Sequence, residues 1–308
     1  LNVLAKALGP NLRPGDEIVV SAAEHHSNLI PWQMLRDRLG LVLRILPVTQ
    51  EGRIDTAALA NLATGRCRII ALTHVSNVTG AVTDVAQVVA AARTAEALVV
   101  LDGAQRVQHG PVDLRGLGVD FYAFSGHKAF GPTGIGVLWG RSFKGLEPVF
   151  GGGGMVQAVT AEHADFAAAP HRFEAGTPPV TQAIGLAAAL DWLMAQDWLA
   201  VDGHERTLSA RLLTGLRAIP GLRIIGPATL DRRLSVVSFA VEGVHPHDLC
   251  HLLDERGIAV RGGHHCAQPL LDALGIPAVC RASACLYNTI EEIDALLLGL
   301  AEAIHKLR

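Results

Sequence analysis

The sequence predicts an α/β fold, with a large domain on a mainly parallel sheet over residues 1–195 and a smaller C-terminal α/β domain over residues 196–308. Three observations predict it. The chain has 308 residues, half of them hydrophobic and 32 of them glycine, which suffices for a large core and most simply for two domains. Short apolar or β-branched runs bounded by turn residues recur through the first half, each too short for a helix. After two helical patterns, a second set of strands and helices begins near residue 222.

Taken in order, Leu1 to Leu8 is an apolar helical stub, and Asn11 to Asp16 turns the chain into a buried strand, Glu17 to Ser21. That strand ends at Glu24-His25-His26-Ser27-Asn28. Val42 to Pro47 and Arg68 to Thr73 are further strands, and the second runs into His74-Val75-Ser76-Asn77. Ala97 to Leu101 is the cleanest buried strand; it delivers Asp102-Gly103-Ala104-Gln105 to the carboxyl edge, where open α/β sheets bind ligands. Helices follow at Thr181 to Asp197 and Gly203 to Ala218, then strands at Arg223 to Ile225 and Ser235 to Val241. A helix from Pro246 to Arg256 and a closing one from Ile290 to Leu307 complete the second domain.

The formal charge of -3 offers no general basic field for nucleic acid, and no uncharged apolar run reaches the roughly 18 residues of a membrane span. Five scattered cysteines, Cys67, Cys250, Cys266, Cys280 and Cys285, argue against a disulfide framework and for a reducing, cytoplasmic setting. The chain starts at Leu1 without an initiator methionine or targeting pattern, so it reads as a fragment or processed product whose N-terminal segment is missing.

The chemistry centres on Ser125-Gly126-His127-Lys128-Ala129-Phe130-Gly131-Pro132-Thr133-Gly134. A lysine among aromatic residues and glycines is partly desolvated, which lowers its pKa and frees a nucleophilic nitrogen. The segment is no Walker A loop, because Pro132 stands where the phosphate-binding lysine belongs, and Gly134-Ile135-Gly136 does not open a helix as a dinucleotide fingerprint does. A Schiff-base lysine for pyridoxal 5'-phosphate remains.

Ser125-Gly126-His127-Lys128 with Gly131-Pro132-Thr133-Gly134 resembles the cofactor-lysine segment of class V aminotransferase-like enzymes, and the resemblance covers nearly the whole chain. It implies a fold-type-I pyridoxal phosphate transferase. Within that family, Arg261-Gly262-Gly263-His264-His265-Cys266-Ala267-Gln268-Pro269-Leu270 is similar to the signature of SufS-type cysteine desulfurases. The implied activity converts L-cysteine to L-alanine, leaves the sulfur as a persulfide on Cys266, and feeds iron-sulfur cluster or related biosynthesis. A selenocysteine lyase or another class V lyase shares most of these residues, and a non-catalytic truncated scaffold is the alternative of another class.

The resemblance assigns roles. His25 stacks on the pyridoxal ring, Gln105 reaches the phenolic oxygen, and Ser125 and His127 are phosphate ligands. Asn77 reads equally as a turn former and as a ligand near the phenolic oxygen. Asp102 is the anion that keeps the ring nitrogen protonated, a requirement of the electron sink. In the Arg172 to Pro178 run, Thr177 touches phosphate in the neighbouring subunit, which implies a homodimer. The loop that would precede Leu1 holds phosphate in the family.

Arg281 is expected to fork the substrate carboxylate, with Arg261 assisting there or at the thiol. Arg261, His264 and His265 supply positive neighbours that favour a Cys266 thiolate. Cys250 and Cys285 read as inert packed thiols, and so does Cys280. A zinc site from His264, Cys266, Cys280 and Cys285 lacks the usual paired spacing, so no metal is expected. The expected partners are the cysteine substrate, a second copy of the chain and a SufE-like or SufU-like sulfur acceptor; nucleic acid and membrane are not expected.

Overall fold

A computed structural model describes all 308 residues. The first half runs α1 (Asn2–Leu8), β1 (Glu17–Ser21), α2 (Ile30–Leu39), β2 (Val42–Leu46), α3 (Leu59–Leu62), β3 (Cys67–Thr73), α4 (Val85–Ala95), β4 (Leu98–Asp102), β5 (Phe121–Ser125) and β6 (Gly136–Gly140). A hairpin of β7 (Val156–Val159) and β8 (Ala164–Phe166) then leads to α5 (Val180–Met194) and α6 (Trp198–Ala218). The rest is β9 (Leu222–Ile225), β10 (Val236–Val241), α7 (Pro246–Asp254), β11 (Arg261–Gly263), α8 (Gln268–Ala273), β12 (Val279–Ser283) and α9 (Ile290–Leu307).

The first six strands form one sheet in the order β2-β1-β3-β4-β5-β6, parallel throughout except for the antiparallel edge strand β6. Its strands read as nearly continuous apolar runs because both faces are covered. Ile18, Val20, Ile69, Ala71 and Val100 pack with Leu4, Leu8, Trp32 and Leu35 of α1 and α2 on one face. Val19, Ile70, Leu72, Val99 and Leu101 alternate to the other face and meet Val85, Val88 and Ala92 of α4. Each of the valine, leucine and isoleucine side chains among them contributes about 1.5–3 kcal/mol when fully buried.

The second sheet has four antiparallel strands in the order β11-β12-β10-β9. Leu208, Leu212 and Leu216 of α6, Leu249 and Leu253 of α7, and Leu296 and Leu300 of α9 pack with Phe239 to form its core. Helix α9 begins in a capping box, in which Thr289 accepts from the Glu292 N–H and Glu292 accepts from the Thr289 N–H. Helix α6 begins at Trp198, five residues ahead of the expected Gly203, because Asp197 caps it by accepting from the Leu199 and Ala200 N–H groups. That cap outweighs the helix-weakening glycine inside.

The two sheets meet along a seam. Ala23 and Val78 pack there with Ile225, Leu270, Leu271 and Val279. The turn after β3 lies on β10: Ser238 Oγ donates to the Val78 carbonyl at 2.6 Å, and Leu234 N–H donates to the Gly80 carbonyl at 3.0 Å. Gly80 has φ +70°, and a Cβ there would stand 2.5 Å from the Val236 carbonyl oxygen, so only glycine fits. Away from this turn, buried His109 Nδ1 pairs with Glu205 Oε2 of α6 at 2.7 Å. No single helix is long and apolar enough to cross a membrane; α5 and α6 pass such a test only together, and they are bent by 87°.

Candidate active site

The carboxyl ends of β3, β4 and β5, with the turn after β1, surround a cavity of about 580 Å³. A mainly parallel sheet places its strand ends this way because every βα connection leaves from one edge. Seven of the expected residues line the cavity: His25, Asn77, Asp102, Gln105, Ser125, His127 and Lys128. Thr73, Ser27 and Phe124, not singled out from the sequence, also line it, as do Leu1, Asn2 and Val3 of the opening helix. Strand-end position is the signal that would have found Thr73, since it pairs in register with Asp102.

Lys128 follows β5 in a single 3-10 turn, Gly126–Lys128. Its Nζ has neither an ion pair nor a hydrogen bond within the chain. Burial pulls its pKa below the ordinary lysine value; the nearby Arg281 charge acts the same way, while Asp102 and Cys266 oppose it. Desolvation therefore supplies the effect expected from the glycine and aromatic setting.

Asp102 ends β4 and is buried. One carboxylate oxygen, Oδ1, accepts from the Ala104 N–H at 2.9 Å. The other has no hydrogen bond within the chain, so it is available to a donor in the cavity. After β3, the edge of the His74 ring meets Tyr122 of β5, with Nδ1 2.9 Å from the tyrosine hydroxyl. Burial pushes His74 down to about 4, so this pair is neutral near pH 7. Residue 103 must be glycine, because a Cβ there would fall 1.9 Å from the Tyr122 ring.

His25 caps a short 3-10 turn, and its Nδ1 accepts from the Ser27 N–H at 3.2 Å and lies 2.7 Å from Ser27 Oγ. Burial, then the Lys128 charge, lowers its pKa. A neutral ring with Nδ1 accepting carries its proton on Nε2. Behind it sits Glu24, fully buried, bonded to Ser21 Oγ and accepting from Asn28 Nδ2 at 2.7 Å. Burial pushes Glu24 up to about 8. The Asn28 amide oxygen in turn accepts from Trp32 Nε1 at 3.1 Å, which ties the histidine turn to the core.

The second sheet contributes Arg281 and the cysteine loop. Arg281 Nη1 donates to the Asn77 carbonyl at 2.8 Å, and its Nε is buried without any partner. Burial and the Arg261 charge lower its pKa, and Cys266 opposes them. Cys266 is exposed on the turn between β11 and α8. That turn is tied across the seam: Asn77 Nδ2 donates to the His265 carbonyl at 2.7 Å, and the His26 N–H donates to the Cys266 carbonyl at 2.8 Å. Much of the Asn77 amide is therefore spent on the cysteine loop, a use the sequence does not announce.

Not every expected residue converges on the cavity. Arg261 is exposed at the start of β11, in register with Arg281 on β12, and does not line the cavity. Thr177 is exposed in the loop before α5, outside the cavity of its own chain. His265 cannot supply the positive charge expected beside Cys266, because burial and Arg281 push it down to about 4. The four residues of the zinc alternative are not brought together: Cys280 sits against Cys250, and Cys285 against Glu205. Burial holds the Cys285 thiol up at about 12.

The class V aminotransferase family model matches residues 1–296. The chain belongs to the class V aminotransferase family. A probable cysteine desulfurase 2 of Mycobacterium leprae is 50% identical over 292 residues, 94% of this chain and 69% of that protein. The crystal structure of the Escherichia coli cysteine desulfurase CsdA, in an S-sulfonic acid form, superposes with a TM-score of 0.96 at 43% identity and covers 100% of this chain and 77% of that one. The C-DES enzyme, solved as a mutant with glycine covalently linked to its pyridoxal phosphate, has a TM-score of 0.84 at 27% identity over 97% of this chain and 78% of that one. The cavity suits the same cofactor: it sets a desolvated amine, an unshared carboxylate oxygen and the hydroxyl and imidazole donors of Ser125 and His127 around one space.

Proposed function

We propose that the chain is a pyridoxal phosphate-dependent cysteine desulfurase, which converts L-cysteine and the Cys266 thiol into L-alanine and a Cys266 persulfide. The observation that carries this reading is the meeting of the two sheets at Asn77: Asn77 lines the cavity with Lys128, its carbonyl accepts from Arg281 Nη1, and its amide donates to the His265 carbonyl in the turn that carries Cys266. The two sheets each supply part of that point, which supports a domain boundary near residues 195 and 196.

Lys128 would attach the cofactor, with His25 against its ring, Asp102 at the ring nitrogen, Gln105 and Asn77 near the phenolic oxygen, and Ser125 and His127 at the phosphate. Bound pyridoxal phosphate supplies the electron sink for charge developing at the substrate α-carbon. Lys128 Nζ, poorly solvated and so readily neutral, takes the α-proton. Arg281 offers the guanidinium N–H groups not spent on the Asn77 carbonyl to the substrate carboxylate, with Arg261 adding positive charge. Cys266 Sγ, as thiolate, attacks the substrate sulfur; the S–S bond forms as the C–S bond breaks, and protonation of the carbon skeleton completes alanine.

Two features of the surface support a homodimer. Thr177 is exposed and does not line its own cavity, and α5 beside it leaves Val180, Ile184 and Met194 53%, 67% and 67% exposed. A second copy would bury this face and bring Thr177 to the opposite cofactor phosphate. The exposed Cys266 thiol fits delivery of sulfur to a SufE-like or SufU-like acceptor in a reducing compartment such as the cytoplasm, for iron-sulfur cluster or related biosynthesis.

The test supplies purified, cofactor-loaded protein with L-cysteine and a thiol reductant, and measures alanine and sulfide. Equal amounts of the two products are expected. Bound cofactor with neither product would refute the desulfurase reading, and alanine released only from selenocysteine would move it to a selenocysteine lyase.

A further inference from the structure

We infer that Cys250 and Cys280 form a reversible disulfide under hydrogen peroxide, a modification site distinct from Cys266. The two thiols come from different elements, α7 and β12, and their sulfurs lie 3.8 Å apart. A disulfide needs about 2.05 Å, so the sulfurs must close by less than about 2 Å, within reach of side-chain rotation. The strand alternation places Cys280 on the face of β12 opposite Arg281, so this pair lies behind the carboxylate-binding side.

The surroundings leave room for the sulfurs. Gly262 is the register partner of Cys280, and a Cβ there would stand 3.0 Å from Cys250 Sγ. Glycine at that position keeps the Cys250 sulfur uncrowded. Cys280 is buried at 2% exposure and its thiol donates to the Pro246 carbonyl at 3.3 Å, whereas Cys250 is only half-buried. An oxidant therefore reaches Cys250 first. The contact with the Cys280 thiol lowers Cys250 and raises Cys280, so thiolate character also favours Cys250 as the attacking sulfur.

The chemistry balances with peroxide as the sole oxidant. The Cys250 thiolate attacks one peroxide oxygen, the O–O bond breaks, and the departing hydroxide takes a proton to become water, leaving a sulfenic acid. The Cys280 thiol then attacks the Cys250 sulfur, the S–O bond breaks, and the hydroxyl leaves as a second water with the thiol proton. Two thiols are oxidised and one peroxide is reduced. Thiol exchange with a small dithiol reverses the bond. Cys280 stands next to Arg281, so the cross-link ties the strand carrying that arginine to α7.

The experiment treats the cofactor-loaded enzyme with near-stoichiometric hydrogen peroxide, blocks free thiols, digests it and maps cross-linked peptides by mass spectrometry. The expected product is a Cys250–Cys280 cross-linked peptide that dithiothreitol removes. It should persist in Cys266→Ala, which lacks the exposed reactive thiol, and vanish in Cys250→Ser, which keeps desulfurase activity unchanged. If Cys250→Ser does not fold, Cys280→Ala serves the same purpose. Full alkylation of Cys250 and Cys280 in enzyme already oxidised at Cys266, or a cross-link that joins either to Cys266, would overturn the inference. The result is independent of turnover, so failure of the desulfurase reading would leave it standing.

Discussion

Lys128 is carried by one tight turn that follows a buried strand directly, whereas Cys266 is carried by a turn in which His265 and Cys266 have φ of 54° and 56°. Left-handed backbone at a non-glycine residue costs about 1–2 kcal/mol, so the cysteine loop is strained twice in succession. Contacts from the other sheet oppose that strain, through the Asn77 side chain and the His26 N–H. The turn that carries Lys128 is thus held by bonds within its own half, whereas the cysteine turn is held by bonds from that half. Cofactor attachment can survive damage to the cysteine loop, while the loop cannot keep its place if the lysine half shifts.

The largest effect that would test this asymmetry comes from Lys128→Ala. Loss of a positioned proton-transfer group costs up to ~10⁴-fold in rate. Alanine production should fall by that order and the visible absorbance of attached cofactor should disappear. The melting temperature of the apo-protein should barely move, because Nζ holds no hydrogen bond; a collapse of the fold would contradict a turn held within its own half.

Next comes Glu205→Ala, which strands buried His109 at the contact between α6 and the turn after β4. Leaving a buried hydrogen-bonding group without its partner costs about 1–3 kcal/mol. Chemical denaturation should show that loss. A change below about 1 kcal/mol would mean that the pair does not brace the two halves.

Arg281→Ala removes both the donor to the Asn77 carbonyl and the unpartnered Nε. A charge-assisted bond contributes about 1.5–3 kcal/mol, so KM for cysteine should rise about tenfold to a hundredfold with cofactor absorbance retained. An unchanged KM would remove Arg281 from the carboxylate.

The last effect concerns Glu24 and accumulates gradually with pH. Its folded pKa is raised from 4.5 to about 8, so its contribution to stability is fully present below about pH 4.5 and is lost as pH rises through about 8. Relative to Glu24→Gln, the native protein should lose stability with pH across that window by up to about 1.4 kcal/mol per pH unit. Parallel stability curves for the two proteins would show that Glu24 ionises freely in the folded state.

The same asymmetry sets what can be read from sequence. Asp102 and Lys128 are legible because each stands just past a short buried strand, and strand ends of a parallel sheet face one crevice. Cys266 is legible from its histidine and glycine neighbours, but the neutrality of His265 is not, since it comes from burial and from Arg281, sixteen residues later in the chain. Asn77 reads as a turn former or a ligand, yet the amide bridges to the His265 carbonyl, a pairing that only the meeting of two sheets creates. Cys250 and Cys280 each read as packed thiols; their contact depends on how α7 lies on β12. Local pattern carries the strand ends, and side-chain pairings across the seam do not appear until the sheets are placed.

The central claim is that Cys266, and no other cysteine, takes the substrate sulfur. Mixing the cofactor-loaded enzyme with one equivalent of L-cysteine, trapping with an alkylating reagent and mapping the extra sulfur by mass spectrometry tests it directly. The predicted result is a persulfide on Cys266 alone, with Cys266→Ala keeping its cofactor absorbance but losing most alanine production. Extra sulfur on Cys280, or a Cys266→Ala enzyme that turns over cysteine at the full rate, would contradict it.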